Sequence, residues 1–291
     1  MMLIITYYLF VYIELNTRKQ LYSKLSAINF LSHISGQVNF CDMRQHDALE
    51  FYEELHSSFE KFRKYYSFKE FVQNCFRLSK ISLKNNDNES IRICTPLGFK
   101  KKDNIIPISP NVGVSITKIV CSKCNHREVK TDSFSYLSLP IKGIEISSCL
   151  STYFASEHLE MYKCDSCKSI GECRKQLKIL TLPQVLVIHF QRLTWTDKGL
   201  IKLNKKILFP LTLYMDKYLL HRMDKNYFFK AYKLMGVIVH VGNEVGGHYI
   251  TFRLAMNGTK WFKINDENHL EVSPTMVQNQ NCYILFYEKC S

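Results

Sequence analysis

At 291 residues, 46% hydrophobic and 22% charged, the chain can bury a real core as one large domain or two smaller ones, which excludes a disordered segment. A formal net charge of +13 would suit an anionic partner, but the lysines are spread over 100–102, 198–206 and 217–233. That spread favours a solvated basic surface, and no nucleic-acid partner is expected. Eleven cysteines, an odd number with four of them in two C-x-x-C pairs, point to a reducing compartment and a metal site rather than a disulfide framework.

Residues 1–40 form an N-terminal segment of uncertain origin. Its apolar run Leu3 to Ile13 is about half the ~20 residues a spanning helix needs. It also lacks the basic start and small-residue cleavage site of a signal peptide, so it is given no function. From Gln45 the pattern becomes helical: Ala48, Phe51, Tyr52, Leu55 and Phe59 recur at three- and four-residue spacing. A weaker helical pattern follows over Phe68 to Leu78, then a polar loop over Leu83 to Ser90. Strands are expected at Val112 to Val120 and Val129 to Leu139, then a short helix at Ser147 to Ala155. The run Gln184 to Trp195, rich in β-branched and aromatic residues, reads as a buried strand. Further strands are expected at Ile207 to Tyr214, Tyr232 to Val241, His248 to Ala255 and Cys282 to Tyr287. Helices first and a β-rich region after them make the fold class α+β.

Cys121 and Cys124 form one C-x-x-C pair and Cys164 and Cys167 the other, each where a β-hairpin turns. Two such turns facing each other offer four thiolates in the tetrahedral arrangement zinc prefers, with no position left open for water, so the site is expected to be structural Zn2+. Cys173 is a second-choice ligand. Cys41, Cys75, Cys94, Cys149, Cys282 and Cys290 are expected to pack as small hydrophobes.

The most specific stretch is YKLMGVIVHVGNEVGGHYITFRL followed by KWFKINDENHL. A strand ends at His240, a Gly-rich turn follows, and His248 opens the next strand. Gly246 and Gly247 are expected to let the backbone turn sharply and to leave room for a substrate beside His248. One antiparallel strand further on, Asn265 should come next to the His248 ring. A cysteine hydrolase needs that pair: an imidazole to take and return a proton, and a polar side chain to fix its tautomer. His126, His158, His189, His240 and His269 are read as structural.

These blocks resemble the ubiquitin-specific proteases, peptidases of the ubiquitin carboxyl-terminal hydrolase type. Gln45 to Phe51 looks like the family's Q-x-D-A-x-E-F helix, Leu182 to Leu193 like the strand after the fingers, and YILFY at 283–287 like the closing strand. The resemblance covers about residues 40 to 289. It implies a papain-like cysteine protease fold with a partial helical thumb (41–110), zinc-bearing fingers (111–181) and a β-rich palm (182–289). It also implies His248 as general base, Asn265 as its orienting partner, and Cys121, Cys124, Cys164 and Cys167 as finger ligands. Ubiquitin and ubiquitinated proteins would be the partners. Gln45 and Asp47 would meet the Arg-rich tail of ubiquitin, with Glu50 less favoured; the plainer role for Asp47 and Glu50 is charge compensation at a helix N-terminus.

The family's cysteine box resembles N-x-G-N-T-C-x-x-N-S, and nothing in the 291 residues matches it. Cys41 lies only four residues before Gln45 and is not proposed as the nucleophile. The expectation is an N-terminally truncated deubiquitinase, followed by a ubiquitin-binding pseudoprotease, and then by a zinc-ribbon nucleic-acid binder. Within the family, the H-x-Q-R-L-T/S-W run ending at Trp195 resembles the mitochondrial outer-membrane member. That likeness implies an intracellular, cytosol-facing location, with membrane contact only through a segment outside this chain.

Overall fold

Asp47 starts the first helix among the described residues. One of its carboxylate oxygens accepts from the backbone N–H of Leu49 (2.7 Å) and Glu50 (3.4 Å), which satisfies amides that a helix N-terminus leaves without partners. The helix, α1 (Ala48–Arg63), turns Ala48, Phe51 and Tyr52 inward. The computed structural model describes residues 47–63, 111–197, 199–220, 231–255, 257–266 and 268–290. The expectations at Leu3 to Ile13, Cys41, Gln45, Phe68 to Leu78, Cys75, Leu83 to Ser90 and Cys94, and for the Leu55 and Phe59 side chains, lie outside what is described.

Two antiparallel hairpins build the first sheet. Strands β1 (Gly113–Cys121) and β2 (Arg127–Phe134) form one, β4 (Glu157–Lys163) and β5 (Ile170–Thr181) the other, in the order β2-β1-β5-β4. The second sheet has eight strands and carries the site. It contains β3 (Leu137–Leu139), β6 (Val185–Phe190), β9 (Thr212–Tyr214), β10 (Ala231–Gly242), β11 (Gly247–Leu254), β12 (Trp261–Asn265), β13 (Asn268–Val272) and β14 (Cys282–Lys289). Its order is β13-β12-β11-β10-β14-β6-β3, with β9 pairing β10. A separate hairpin joins β7 (Leu193–Thr196) to β8 (Gly199–Lys202).

Both faces of this sheet are covered, so its central strands read as continuous apolar runs. Leu186, Ile188 and Phe190 of β6 face the main core, with α2 (Ile146–Tyr153) supplying Ile146, Cys149 and Leu150. One residue out of phase, Val187 joins Ile238, Tyr283 and Ile284 beneath Ala48 and Tyr52 of α1. A short helix, α3 (Pro274–Gln278), leads into β14.

The structure divides two of the expected strands. Val129 to Leu139 becomes β2 and β3, which belong to different sheets, and the chain crosses between them at Ser135 and Tyr136. The crossing is fixed by α1: the Tyr52 hydroxyl donates to the Ser135 carbonyl (2.9 Å) and the Tyr136 hydroxyl to Glu53. Gln184 to Trp195 breaks after Phe190, because Arg192 turns inward at 1% exposure. It donates to the carbonyls of Cys282 (2.7 Å), Leu203 (2.8 Å) and Lys205 (2.9 Å). Strands β4 and β5 are the two arms of the hairpin expected to turn at Cys164 and Cys167. β4 is exposed along most of its length, whereas β5 alternates exposed residues with a half-buried to buried face that includes Cys173 and Ile179. Cys149 and Cys282 are buried as expected, whereas Cys290 is exposed.

Candidate active site and metal centre

The register of three strands assembles the histidine site. Val241 pairs with His248 across β10 and β11, and Thr251 pairs with Ile264 across β11 and β12. Asn265, the residue after Ile264, therefore lies diagonal to His248, within side-chain reach on an antiparallel sheet. Its Oδ1 is 2.5 Å from His248 Nε2. An amide oxygen only accepts, so Nε2 carries the proton and Nδ1 keeps its lone pair. That tautomer leaves Nδ1 able to act as a base. The pairing expected between His248 and Asn265 is present.

A third group was not expected. Asp266 Oδ2 lies 3.5 Å from the same Nε2, with His248 45% and Asp266 69% exposed, so the contact is open to solvent. Asp266 adopts φ 52° in the turn joining β12 to β13, a left-handed conformation that aspartate tolerates better than most residues.

The turn before His248 is held by its own polar groups. Asn243 Oδ1 accepts from the N–H of Val245 (3.1 Å) and Gly246 (3.0 Å), and the Asn243 N–H donates to the Gly246 carbonyl (3.0 Å). At Gly247 a Cβ would meet the Val241 carbonyl at 2.3 Å and His240 Nε2 at 2.4 Å, so close packing of the turn against β10 by itself requires the glycine.

Asp47 joins this site from the other side. Its Oδ2 accepts from the hydroxyls of Tyr283 (2.5 Å) and Tyr249 (3.3 Å), and Tyr249 follows His248 directly. The Tyr249 hydroxyl also accepts from the Ala48 N–H (3.3 Å). Burial, with the Asp47 charge beside them, pushes both tyrosines well above the ordinary tyrosine range, so they stay protonated donors. Tyr283 packs edge-on against His189, whose Nδ1 is 2.9 Å from Ser138 Oγ. Burial holds His189 neutral, pushed down to about 4. No sequence motif marks Tyr249 or Tyr283 as a site residue. Each occupies an apolar strand position, and only the register shows that their hydroxyls converge on Asp47.

The four C-x-x-C cysteines also converge. Their sulfurs all lie within 4.8 Å of one another, with Cys121 and Cys167 4.0 Å apart and Cys124 and Cys164 3.6 Å apart. The two turns repeat one local geometry. Asn125 (φ 57°) and Lys168 (φ 58°) follow the pairs in left-handed conformation, and their N–H groups donate to the carbonyls of Cys121 (3.0 Å) and Cys164 (2.9 Å). None of the four is disulfide-bonded. The Ser169 hydroxyl, 2.8 Å from Cys167 Sγ, helps hold that thiol down to about 6. Cys173 sits opposite Cys121 in register but outside the cluster. This donor set is able to hold a metal ion.

Among the described residues, no helix is long and apolar enough to cross a membrane. Over 166 residues the chain is 31% identical to ubiquitin carboxyl-terminal hydrolase 9 of Arabidopsis thaliana, covering 56% of this chain and 18% of that protein. Over 178 residues it is 32% identical to the probable ubiquitin carboxyl-terminal hydrolase 16 of Schizosaccharomyces pombe, covering 60% and 38%. The chain thus spans well under half the length of these curated relatives. Among solved structures it is similar to the SAGA Ubp8/Sgf11/Sus1/Sgf73 DUB module bound to ubiquitin aldehyde. There the TM-score is 0.63 at 28% identity, covering 87% of this chain and 51% of the matched one. Residues 6–287 match the family model described as UCH, ubiquitin carboxyl-terminal hydrolase. With nearly its whole length matched, the chain belongs to the ubiquitin carboxyl-terminal hydrolase family.

Proposed function

We propose that this chain acts in thiol-dependent deubiquitination, hydrolysing the bond after the C-terminal glycine of ubiquitin. The observation that carries the reading is the 2.5 Å contact between His248 Nε2 and Asn265 Oδ1, which leaves Nδ1 as a base. His248 takes the proton of a nucleophilic thiol, and the thiolate attacks the glycine carbonyl to form a thioester. The imidazolium protonates the departing lysine amine, and water activated by the same imidazole clears the thioester. Among the described cysteines none suits the nucleophile: four form the metal cluster, Cys149, Cys173 and Cys282 are buried, and Cys290 closes β14's far end. His248→Ala in the full protein abolishes hydrolysis of a fluorogenic ubiquitin amide and leaves ubiquitin binding intact. Turnover that survives the change would remove His248 as the base.

The metal assigned to the fingers is structural zinc. A tetrahedral zinc with Zn–S near ~2.3 Å places its sulfurs about 3.8 Å apart, and the pairs at 4.0 and 3.6 Å bracket that distance. Elemental analysis should give one zinc per chain. Ubiquitin as partner is supported by the family match and by the similar SAGA module bound to ubiquitin aldehyde. Gln45 and Asp47 are assigned to the ubiquitin tail; an arginine reaching Asp47 would share its carboxylate with the cap amides and two tyrosine hydroxyls.

A second reading, a pseudoprotease that binds ubiquitin without cleaving it, is favoured by one observation: no stretch of the 291 residues matches the family's cysteine box. Binding without turnover by the full protein would establish it. The subfamily reading is a likeness to ubiquitin carboxyl-terminal hydrolase 30 and a cytosol-facing place at the mitochondrial outer membrane. It rests on the run ending at Trp195 and the cysteine spacing, and cell fractionation tests it.

A further inference from the structure

Strand β10 outruns its neighbour. β14 begins at Cys282, opposite Val239, so among the described residues the last ones of β10 have no strand on that side. Backbone carbonyls left in that position need a donor. The donor is a side chain: Lys202 Nζ reaches the carbonyl of His240 at 2.9 Å and of Gly242 at 2.7 Å. These two residues flank Val241, which pairs directly with His248 on β11. One ammonium therefore grips the strand end on both sides of the residue opposite the base.

The grip has a fixed origin. Lys202 is the last residue of β8, and the next residue, Leu203, is tied twice to the buried Arg192. The Leu203 N–H donates to the Arg192 carbonyl (2.7 Å), and Arg192 Nη1 donates to the Leu203 carbonyl (2.8 Å). Arg192 in turn is anchored on β14 through the Cys282 carbonyl (2.7 Å). The turn it stabilises needs such a hold. It contains Gly242 at φ 136°, Gly246 and Gly247, and glycine gives up more conformational freedom than any other residue when it is ordered.

We propose that Lys202 is a positioning residue for His248: by holding the carbonyls of His240 and Gly242, where no described strand pairs with β10, it fixes the glycine turn on which the His248 ring depends. The inference rests on His248 being the base. It also separates Lys202 from the other lysines of 198–206, which the sequence gives no reason to distinguish. A lysine suits the task because its compact ammonium offers three donors at the end of a flexible stem and can serve two carbonyls at once.

The test compares Lys202→Met, which keeps the length and loses the donors, with Lys202→Arg, which keeps them. Hydrogen exchange of the Asn243 and His248 amides should rise about tenfold or more in Lys202→Met, with the Ile284 and Leu285 amides of β14 unchanged. In 1H–15N spectra of the His248 ring, the Nε2–H tautomer of the parent should give way to averaged signals. Lys202→Arg should restore both. Turn protection and ring signals in Lys202→Met that match the parent would overturn the proposal. A Lys202→Met chain that fails to fold, or equal loss of protection across β14, would overturn it too, by making Lys202 a general structural residue. Neither readout uses ubiquitin or turnover, so the proposal can fail while the deubiquitinase reading stands. Failure of the deubiquitinase reading would appear as loss of ubiquitin binding and hydrolysis in the parent, with these spectra unaffected.

Discussion

Asp47 ties the thumb helix to the strand that carries the base, and its removal gives a calculable penalty. Asp47→Ala deletes the cap acceptor for Leu49 and Glu50, worth about 1 kcal/mol. It also removes the anionic acceptor of the Tyr283 hydroxyl at 2.5 Å, a group with 4% residue exposure, worth about 1.5–3 kcal/mol for a charged hydrogen bond. The longer Tyr249 contact, 3.3 Å, adds less because that hydroxyl keeps its bond from Ala48. The sum is about 3–5 kcal/mol. Asp47→Asn keeps the cap, since asparagine caps as well as aspartate, and loses only the charge facing the tyrosines, so about 1–2 kcal/mol is expected. Urea unfolding of the metal-loaded protein, followed by circular dichroism, measures both. A cycle with Tyr283→Phe should show a coupling of about 1–2 kcal/mol. Asp47→Ala within about 0.5 kcal/mol of the parent, or strict additivity with Tyr283→Phe, would refute the clamp.

Two further outcomes follow from the same core. His189, held neutral down to about 4 by burial, would titrate near 6.5 in the unfolded chain. On acidification the unfolded state takes up the proton first. The stability is therefore complete above pH ~6.5 and falls by up to about 3 kcal/mol as pH drops from ~6.5 to ~4. His189→Phe should flatten that part of the stability–pH profile, and an unchanged slope would show that another group sets it. Gly247→Ala places a Cβ 2.3 Å from the Val241 carbonyl, so the turn must open, at about 2 kcal/mol or more. Thermal unfolding should show that loss, and a neutral result would mean that the turn gives way without resistance.

The sequence carried the site better than it carried the scaffold. His248 and Asn265 were legible because a Gly-rich turn and a strand-length spacing put them on neighbouring strands, and the sheet register delivers that contact. The four cysteines were legible from spacing alone, because C-x-x-C closes a turn of one particular geometry. What stayed hidden depends on pairings distant in the chain. Asp47 meets Tyr249 and Tyr283 across separations of 202 and 236 residues. Asp266 is drawn to His248 by a turn whose φ 52° no pattern announces. The bounds of β4 were hidden because it is exposed along most of its length, and those of β5 because its buried face, with Cys173 and Ile179, is set among charged residues. The break at Arg192 was hidden for the opposite reason: a charged residue inside an apolar run gave no sign that it satisfies three carbonyls.

The proposal that this chain recognises ubiquitin through a zinc-stabilised fold is tested most directly by titrating monoubiquitin into the zinc-loaded protein in a calorimeter. Saturable binding is predicted, retained by His248→Ala and lost when a chelator strips the cysteine cluster. A folded, zinc-loaded chain that gives no heat of binding at any ubiquitin concentration would contradict the account.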